Sequence, residues 1–219
     1  NAVEACKFGL LLKLLEDEDN LSISHPALPN IDNNIQYGNS LIESNQTTQE
    51  NQEAINPFDF GEIKFDVIVG NPPYLATEHI KKFTPAELPI YKEIFDSAYK
   101  QFDKYFVFIE RGFGLLKPNG ILGFIIPSKF AKVGAGKKLR GFLSDKTAIK
   151  KIVSFGANQI FQDKTTYTSL LILTKNEKVG LRYHEVCNLN DWKSKNYVIE
   201  YDDVEFSELN EETWVLMPN

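Results

Sequence analysis

The chain has 219 residues, of which 42% are hydrophobic and 12% aromatic, and its formal net charge is −6. Its two cysteines, Cys6 and Cys187, are too few and too far apart for a disulfide framework or a zinc site, which favours a reducing cytoplasm. We expect no signal peptide and no membrane span, because no apolar stretch approaches the roughly 20 residues that a span needs. The acidic balance argues weakly against tight DNA binding by this piece alone, since Lys and Arg must neutralise phosphates.

The first third of the chain predicts one helix, a long polar region and two strands. Apolar residues at helical spacing predict an amphipathic helix over Ala2–Leu15. After a Pro- and Asn-rich loop, Ile35–Tyr37 predicts a short strand that stops at Gly38. The polar stretch Ser44–Asn56 predicts a surface excursion. The apolar run Phe65–Val69 predicts a buried strand.

The rest of the chain alternates helices and strands, which is typical of a parallel α/β sheet. We expect a loop over Ala76–Pro89, a long helix over Ile90–Leu116 and a turn at Lys117–Gly120. The later predictions are strands over Ile121–Ile126, Ala148–Ser154 and Thr168–Thr174, and a short helix over Lys137–Leu143. From Val179 the pattern changes to shorter strands, which predicts a boundary near residue 178 between regions 1–178 and 179–219.

The tetrapeptide Asn71-Pro72-Pro73-Tyr74 directly follows the predicted strand over Phe65–Val69. Ligands bind at the carboxyl ends of strands in open α/β sheets, so this loop is the strongest candidate for a site. Both prolines fix their own φ, and Pro73 favours an extended Pro72, which stiffens the loop before a substrate binds. Asn-Pro and Pro-Pro also mark an ordinary turn, but the buried-type strand before them favours the functional interpretation.

The residue types in this loop suit methylation of an amino group on a planar ring. The lone pair of such an amine is delocalised into the ring, which makes its nitrogen a poor nucleophile. The side-chain carbonyl of Asn71 and the backbone carbonyl of Pro72 can each accept an amine hydrogen and favour a more tetrahedral nitrogen. Tyr74 can stack on a base that has left the duplex, which is worth roughly 1–3 kcal/mol. The predicted catalytic residues are Asn71, Pro72, Pro73 and Tyr74.

The segment FDVIVGNPPY, residues 65–74, resembles the catalytic motif of the gamma-class adenine-N(6) DNA methyltransferases, in particular those fused into single-chain type II (IIS/IIG) restriction–modification enzymes. The resemblance implies a partial Rossmann-like α/β fold, with a mostly parallel sheet and flanking helices. It implies S-adenosyl-L-methionine as cofactor and double-stranded DNA with a flipped adenine as partner, with no membrane. It also makes nuclease and target-recognition domains candidates in the parent chain, the latter starting within residues 179–219.

The resemblance implies roles for residues outside the loop. Gly38-Asn39-Ser40 matches a strand end where the family contacts the cofactor adenine, so Asn39, Ser40 and Asn71 are the predicted cofactor-binding residues; a plain Gly-Asn turn is the alternative. In the family an aromatic residue sandwiches the flipped base against the motif tyrosine, which implies Phe161, with Tyr167 as the alternative. Asp103–Phe108 resembles the segment beneath the cofactor, although its aromatic side chains also fit a helical core.

Two weaker signals complete the candidate site. Pro127 and Ser128 follow a strand that resembles the family's neighbour of the catalytic strand, whose exit lines the target-base pocket. The three histidines, His25, His79 and His184, have no partner at metal or triad spacing, so no metal is predicted.

The family's glycine-rich cofactor loop and its ribose-binding acidic residue are not found before residue 35. We therefore expect a fragment that begins part-way into a methyltransferase domain, binds S-adenosylmethionine weakly or not at all, and is inactive alone. Two other functions stay open. One is methyl transfer to a protein glutamine or an RNA amine, because Asn-Pro-Pro-Tyr also occurs in such enzymes. The other is a non-catalytic DNA-binding or specificity module, which the acidic balance fits.

Overall fold

The helices and strands come from a computed structural model that describes residues 2–16, 29–146, 148–161, 167–176 and 180–216. The helices are α1 (Ala2–Leu15), α2 (Gln52–Ile55), α3 (Thr77–Phe83), α4 (Glu87–Ile94), α5 (Lys104–Gly114), α6 (Lys137–Asp145) and α7 (Leu189–Trp192). The strands are β1 (Phe65–Gly70), β2 (Leu116–Pro127), β3 (Ile149–Ser154), β4 (Thr168–Thr174), β5 (Gly180–Glu185) and β6 (Asp202–Glu205). None of the helices in these ranges is long and apolar enough to cross a membrane.

The described strands form one mixed sheet in the order β1-β2-β4-β3-β5-β6. β1 runs parallel to β2 and β3 parallel to β5, while β4 is antiparallel to both of its neighbours and β6 to β5. The α/β fold is as predicted, but the sheet is less parallel than expected because β4 inserts between β2 and β3. The boundary predicted near residue 178 falls between β4 and β5 of this sheet, and the division into two domains stays a prediction.

One face of the sheet is covered by helices and holds the main core. Leu122, Phe124 and Ile126 of β2 point to this face and are at most 6% exposed, in keeping with the two-residue period of a strand. α5 packs closely on β2, so that a Cβ atom at Gly112 would lie 2.5 Å from Cδ1 of Leu122. Any larger residue at position 112 would have to displace the buried side chain of Leu122.

β2 begins earlier than predicted and contains an irregularity in place of a separate turn. It starts at Leu116, and its register against β1 shifts between Phe65 and Val67. Asn119 has a left-handed φ of 64° there, a conformation in which Asn is enriched among non-glycine residues. The turn predicted at Lys117–Gly120 is therefore a bulge within the strand.

β1 lies at the edge of the described sheet and is not buried, contrary to the prediction for this apolar run. Val67 is 60% exposed and Val69 is 77% exposed. β1 pairs only with β2 in the described part of the chain, so the valine side of the strand is open. An apolar run predicts a strand whose side chains are suited to burial, but it does not show whether residues of the same chain pack against those side chains.

Three other predicted elements differ from the structure. Ile35–Tyr37 forms no strand, because a short run without a neighbouring strand has no partner for interstrand hydrogen bonds. Asn39 nearby makes an isolated bridge to Pro57. The predicted loop over Ala76–Pro89 contains α3 and the start of α4. The predicted helix over Ile90–Leu116 is two helices, α4 and α5. The Glu110 side chain accepts from backbone N–H groups in the segment between them, which stabilises the break.

The C-terminal segment, residues 206–216, returns to the covered face and is held there by Arg140 of α6. Arg140 is 2% exposed. Its guanidinium donates to four backbone carbonyls at 2.6–3.1 Å, two on the segment after β2 and two on the C-terminal segment: Phe130, Val133, Glu211 and Glu212. The backbone N–H of Trp214 donates to the carbonyl of Ala131 at 2.9 Å. The C-terminal segment therefore belongs to the same packed unit as the sheet.

Candidate active site

The Asn71-Pro72-Pro73-Tyr74 loop lies directly after β1, at its carboxyl end, as predicted. Pro72 is buried, and the exposed Asn71 side chain makes no hydrogen bond to the described residues. The Tyr74 hydroxyl donates to the carbonyl of Ile125 at 3.0 Å, and its ring makes an edge-to-face contact with Tyr105 at 6.1 Å. The loop thus presents a free amide beside a fixed aromatic ring.

The Tyr74 hydroxyl remains uncharged across the physiological range. Burial, with a further contribution from the negative charge of Asp103, raises the pKa of Tyr74 to about 12. A neutral ring whose hydroxyl is already bonded to the sheet is suited to stacking rather than to proton transfer.

Tyr74 lies in the wall of a cavity of about 840 Å³ at the carboxyl edge of the sheet. Ligand pockets typically measure about 300–1,000 Å³, so the cavity has room for a nucleobase and part of its nucleotide. Its wall includes Pro127 and Ser128, the strand-exit residues proposed from the sequence, and Tyr167. Lys129, Lys132 and Trp214 line the side away from the sheet.

The sheet side of this cavity is polar and carries no basic side chain among its described residues. Ser169, Ser154 and Glu185 are register partners on β4, β3 and β5, so they stand in a row across the sheet. Ser128 Oγ lies 2.6 Å from Ser169 Oγ, and the Tyr183 hydroxyl donates to Glu185 at 2.9 Å. Hydroxyl and carboxylate groups in this arrangement suit an amino-bearing ligand better than an anion.

The two candidates for the second stacking residue occupy different places. Tyr167 lines the same cavity as Tyr74, is 61% exposed, and its carbonyl accepts from the backbone N–H of Ser128 at 2.8 Å. Phe161 is half-buried and is not among the described residues of that wall. Residues 162–166, between the two, lie outside the described residues. The structure therefore brings together Tyr74 and Tyr167, the alternative, and the stacking role of either aromatic stays a prediction.

Asn71 faces a second, more open cavity of about 520 Å³ that runs along β1. Ser40, Pro72 and Pro73 line it together with Phe108, from the segment predicted to lie beneath the cofactor. Two of the three predicted cofactor-binding residues, Ser40 and Asn71, thus share one cavity.

The third predicted cofactor-binding residue, Asn39, is engaged within the protein. Its amide donates to Glu87 at 3.0 Å and to the hydroxyl of Tyr91 at 3.4 Å, and its carbonyl accepts from the N–H of Leu41 at 3.1 Å. Arg111 of α5 donates to the carbonyl of Ser40 at 3.3 Å. These bonds fix the path of the loop that carries Ser40.

Neither described histidine belongs to a metal centre. His79 lines the large cavity, and His184 bonds to the Tyr197 hydroxyl and the Glu200 carbonyl in an aromatic cluster. Within the described ranges no group of three or more His, Cys, Asp or Glu residues could hold a metal ion. Cys6 and Cys187 are exposed free thiols, and His25 lies outside the described residues.

Residues 1–161, which include the Asn71–Tyr74 loop and the residues that line the cavity along β1, match the family model of the Eco57I restriction-modification methylases. The chain belongs to this family. The match confirms the resemblance to restriction–modification methyltransferases drawn from FDVIVGNPPY, and with it the S-adenosylmethionine cofactor of these methylases.

Relatives of this Eco57I-type methylase chain include restriction enzymes with a methyltransferase function. It is 52% identical to the type II restriction enzyme and methyltransferase RM.Eco57I from Escherichia coli, over 99% of this chain and 22% of the relative. It is 35% identical to the type II methyltransferase M.BstVI from Geobacillus stearothermophilus, over 52% of this chain and 20% of that protein. The solved type IIG restriction endonuclease BpuSI aligns with a TM-score of 0.48 and 14% identity, over 65% of this chain and 19% of its own. The chain thus spans about a fifth of the length of these relatives.

Several residues of the Eco57I-type site were missed by the sequence analysis. Asp103 accepts from the N–H of Leu75, next to Tyr74, at 2.7 Å, and Lys129 stands in the cavity wall. Glu185 and Trp214 reach the same cavity from the region after residue 178. No motif marks Glu185 or Trp214, since their place depends on the pairing of β5 with β3 and on the return of the C-terminal segment. Of the residues in this wall, Tyr74, Pro127, Ser128 and Tyr167 were named from the sequence.

Proposed function

We propose that this chain forms part of an enzyme that transfers a methyl group from S-adenosylmethionine to the exocyclic amine of adenine in DNA. The observation that supports this most strongly is the position of the Asn71–Tyr74 loop between two cavities. Tyr74 faces the larger cavity together with Tyr167, and Asn71 faces the cavity along β1. A base held in the first cavity could therefore meet a methyl donor in the second across this loop.

In this proposal Asn71 and Pro72 orient the amine. The Asn71 side-chain carbonyl is free to accept one amine hydrogen, and the Pro72 backbone carbonyl accepts the other. The nitrogen lone pair then points towards the methyl donor, and the proton leaves after the methyl group has arrived. Positioning and charge complementarity provide most of the rate enhancement in such a reaction.

The target adenine leaves the duplex and stacks between Tyr74 and a second aromatic side chain. Base–aromatic stacking contributes about 1–3 kcal/mol per base, which offsets part of the cost of unstacking. Tyr167 is better placed than Phe161 because it lines the same cavity as Tyr74.

Residues along β1 are suited to hold the cofactor. Ser40 offers a hydroxyl, Asn71 an amide and Phe108 an aromatic face around one cavity. This set fits the polar and apolar parts of S-adenosylmethionine, which supplies an electrophilic methyl group when bound. Asn39 supports Ser40 from behind, through its bonds to Glu87 and Leu41.

The proposal is tested by labelled methyl transfer with the parent chain and mixed duplex DNA, followed by analysis of the digested nucleosides. We expect label on adenine, and its loss by a factor of about 100 or more in Asn71→Ala, while cofactor affinity is largely kept. Asn190→Ala, an exposed asparagine on α7, is the matched control and should transfer at the wild-type rate.

Other outcomes would overturn the proposal in distinct ways. Full turnover by Asn71→Ala would exclude the role of this residue. Cofactor binding without label in DNA would point to a protein glutamine or an RNA amine as substrate. If the parent chain neither binds the cofactor nor transfers a methyl group, a non-catalytic specificity module would be the better explanation, and the net charge of −6 agrees with it.

A further inference from the structure

The chain immediately after Tyr74 is bonded to the start of α5 through contacts that the proposed chemistry does not use. The N–H of Lys104 donates to the carbonyl of Leu75 at 2.8 Å. Thr77 donates to the carbonyl of Phe102 from its backbone N–H at 3.0 Å and from its hydroxyl at 2.6 Å. Residues 75–77 therefore run antiparallel to residues 102–104, with a bridge between their central residues.

The Asp103 carboxylate bonds to two other residues, Leu75 next to Tyr74 and Lys129 in the wall of the large cavity. Oδ1 accepts from the N–H of Leu75 at 2.7 Å, and Oδ2 pairs with Nζ of Lys129 at 2.8 Å. Asp103 is 5% exposed, whereas the Lys129 side chain is about half exposed in the cavity wall. A buried carboxylate is tolerated only when it is paired and hydrogen-bonded, and these two bonds satisfy it. The Asp103 side chain thus bonds both the residue next to Tyr74 and a lysine in the wall of the same cavity.

The simpler explanation for Asp103 is a helix cap, because it occupies the N-cap position of α5. An N-cap aspartate normally accepts from the second or third N–H of its own helix. Asp103 makes no such bond. Its carboxylate turns instead towards Leu75 and Lys129, so its contacts serve the loop and the cavity rather than the helix.

We propose that Asp103 is a positioning residue for the target-base side of the site. It fixes the chain at Leu75, which sets where Tyr74 faces the cavity, and it holds Lys129 in the wall of the same cavity. The inference rests on the proposed function for the role of that cavity. A displacement of about 1 Å in such a site can lower a rate by about 100-fold, so the effect on methyl transfer is expected to be large.

The test compares Asp103→Ala with Asp103→Asn in the parent chain, at saturating duplex DNA and cofactor. Asn keeps an oxygen that can accept from Leu75, whereas Ala removes both bonds. We expect the single-turnover rate of methyl transfer to fall about 100-fold in Asp103→Ala and less than about 10-fold in Asp103→Asn, with cofactor affinity within about threefold of wild type. Leu181→Ala, a core truncation on β5, controls for lost stability and should keep the rate per folded molecule.

Amide hydrogen exchange of the peptide that contains residues 75–77 provides a readout independent of substrate. Exchange should accelerate in Asp103→Ala and stay at the wild-type rate in Leu181→Ala. The inference would be overturned if Asp103→Ala transferred methyl groups at the wild-type rate. It would also be overturned if Leu181→Ala lost as much methyl-transfer rate and as much exchange protection as Asp103→Ala. If the wild-type parent chain transfers no methyl group to adenine, the proposed function fails on its own. Unchanged exchange in Asp103→Ala would then still exclude the positioning role.

Discussion

The two sides of the Asn71–Tyr74 loop differ in how completely this chain builds them. On the proposed target-base side, Tyr74 faces a cavity whose walls come from β2, β3, β4, β5 and the C-terminal segment. On the proposed cofactor side, Asn71 faces a more open cavity along β1, where Val67 and Val69 are 60% and 77% exposed. The difference shows that substitutions within this chain can test the base side directly. The cofactor side depends more on what covers β1.

The largest effect is expected at Arg140, which holds the C-terminal segment over the base side. Arg140→Met should lower the free energy of unfolding by about 2–4 kcal/mol, because it leaves buried carbonyls of two segments without a donor. Urea unfolding measures the change. Lys138→Met removes an exposed cation from the same helix and should stay within about 0.5 kcal/mol of wild type. Equal stability of the two variants would show that the segment is not held by Arg140.

Tyr74→Ala should weaken productive DNA binding in the parent chain by about 1–3 kcal/mol, since it removes the stacking surface. Tyr74→Phe keeps the ring and loses only the hydrogen bond to Ile125, so it should cost about 1 kcal/mol. The ratio of kcat to KM on duplex DNA distinguishes the two variants. A Phe variant as impaired as the Ala variant would assign Tyr74 a role through its hydroxyl rather than its ring.

The choice between Tyr167 and Phe161 as the second stacking residue predicts a smaller difference in DNA binding, but one that distinguishes the two residues directly. If Tyr167 stacks on the base, Tyr167→Ala should reduce binding by about 1–2 kcal/mol, and Phe161→Ala should leave it within about 0.5 kcal/mol. Titration of duplex DNA that carries a fluorescent base at the target position measures both. The reverse ranking would restore Phe161 as the stacking residue and would place Tyr167 at the rim.

The sequence predicts the elements whose signals are local. The bounds of α1 agree with Ala2–Leu15, but the helix is not amphipathic as predicted, since its apolar residues do not gather on one face and Phe8, Leu10, Leu12 and Leu14 are exposed. The bounds of β4 agree with Thr168–Thr174, because an apolar run determines them over a few residues. The Asn71–Tyr74 loop at the end of β1 is predicted for the same reason. The break between α4 and α5 is not, because it depends on Glu110 reaching back to two backbone N–H groups.

The parts of the site that the sequence misses are those made by distant pairings. Glu185 reaches the cavity because β5 pairs with β3, where it stands opposite Ser154. Trp214 reaches it because Arg140 holds the returning segment. Asp103 lies within a predicted helix, where an acidic residue has no visible task. These side chains are far apart in the sequence and come together through long-range contacts, so neither their spacing nor their residue type predicts that they share a cavity.

The smallest effect is expected on the open side, at the valines of β1. The double variant Val67→Thr, Val69→Thr keeps the β-branched shape and should change the free energy of unfolding of this chain by less than about 0.5 kcal/mol, since both side chains already contact water. Val153→Thr on β3 is the matched control. It places a hydroxyl at a site that is 4% exposed and should cost about 1–3 kcal/mol. The same double variant in the parent chain gives the decisive contrast. A cost there near that of Val153→Thr would show that further protein covers β1, and an unchanged small cost would show that the cofactor side stays open.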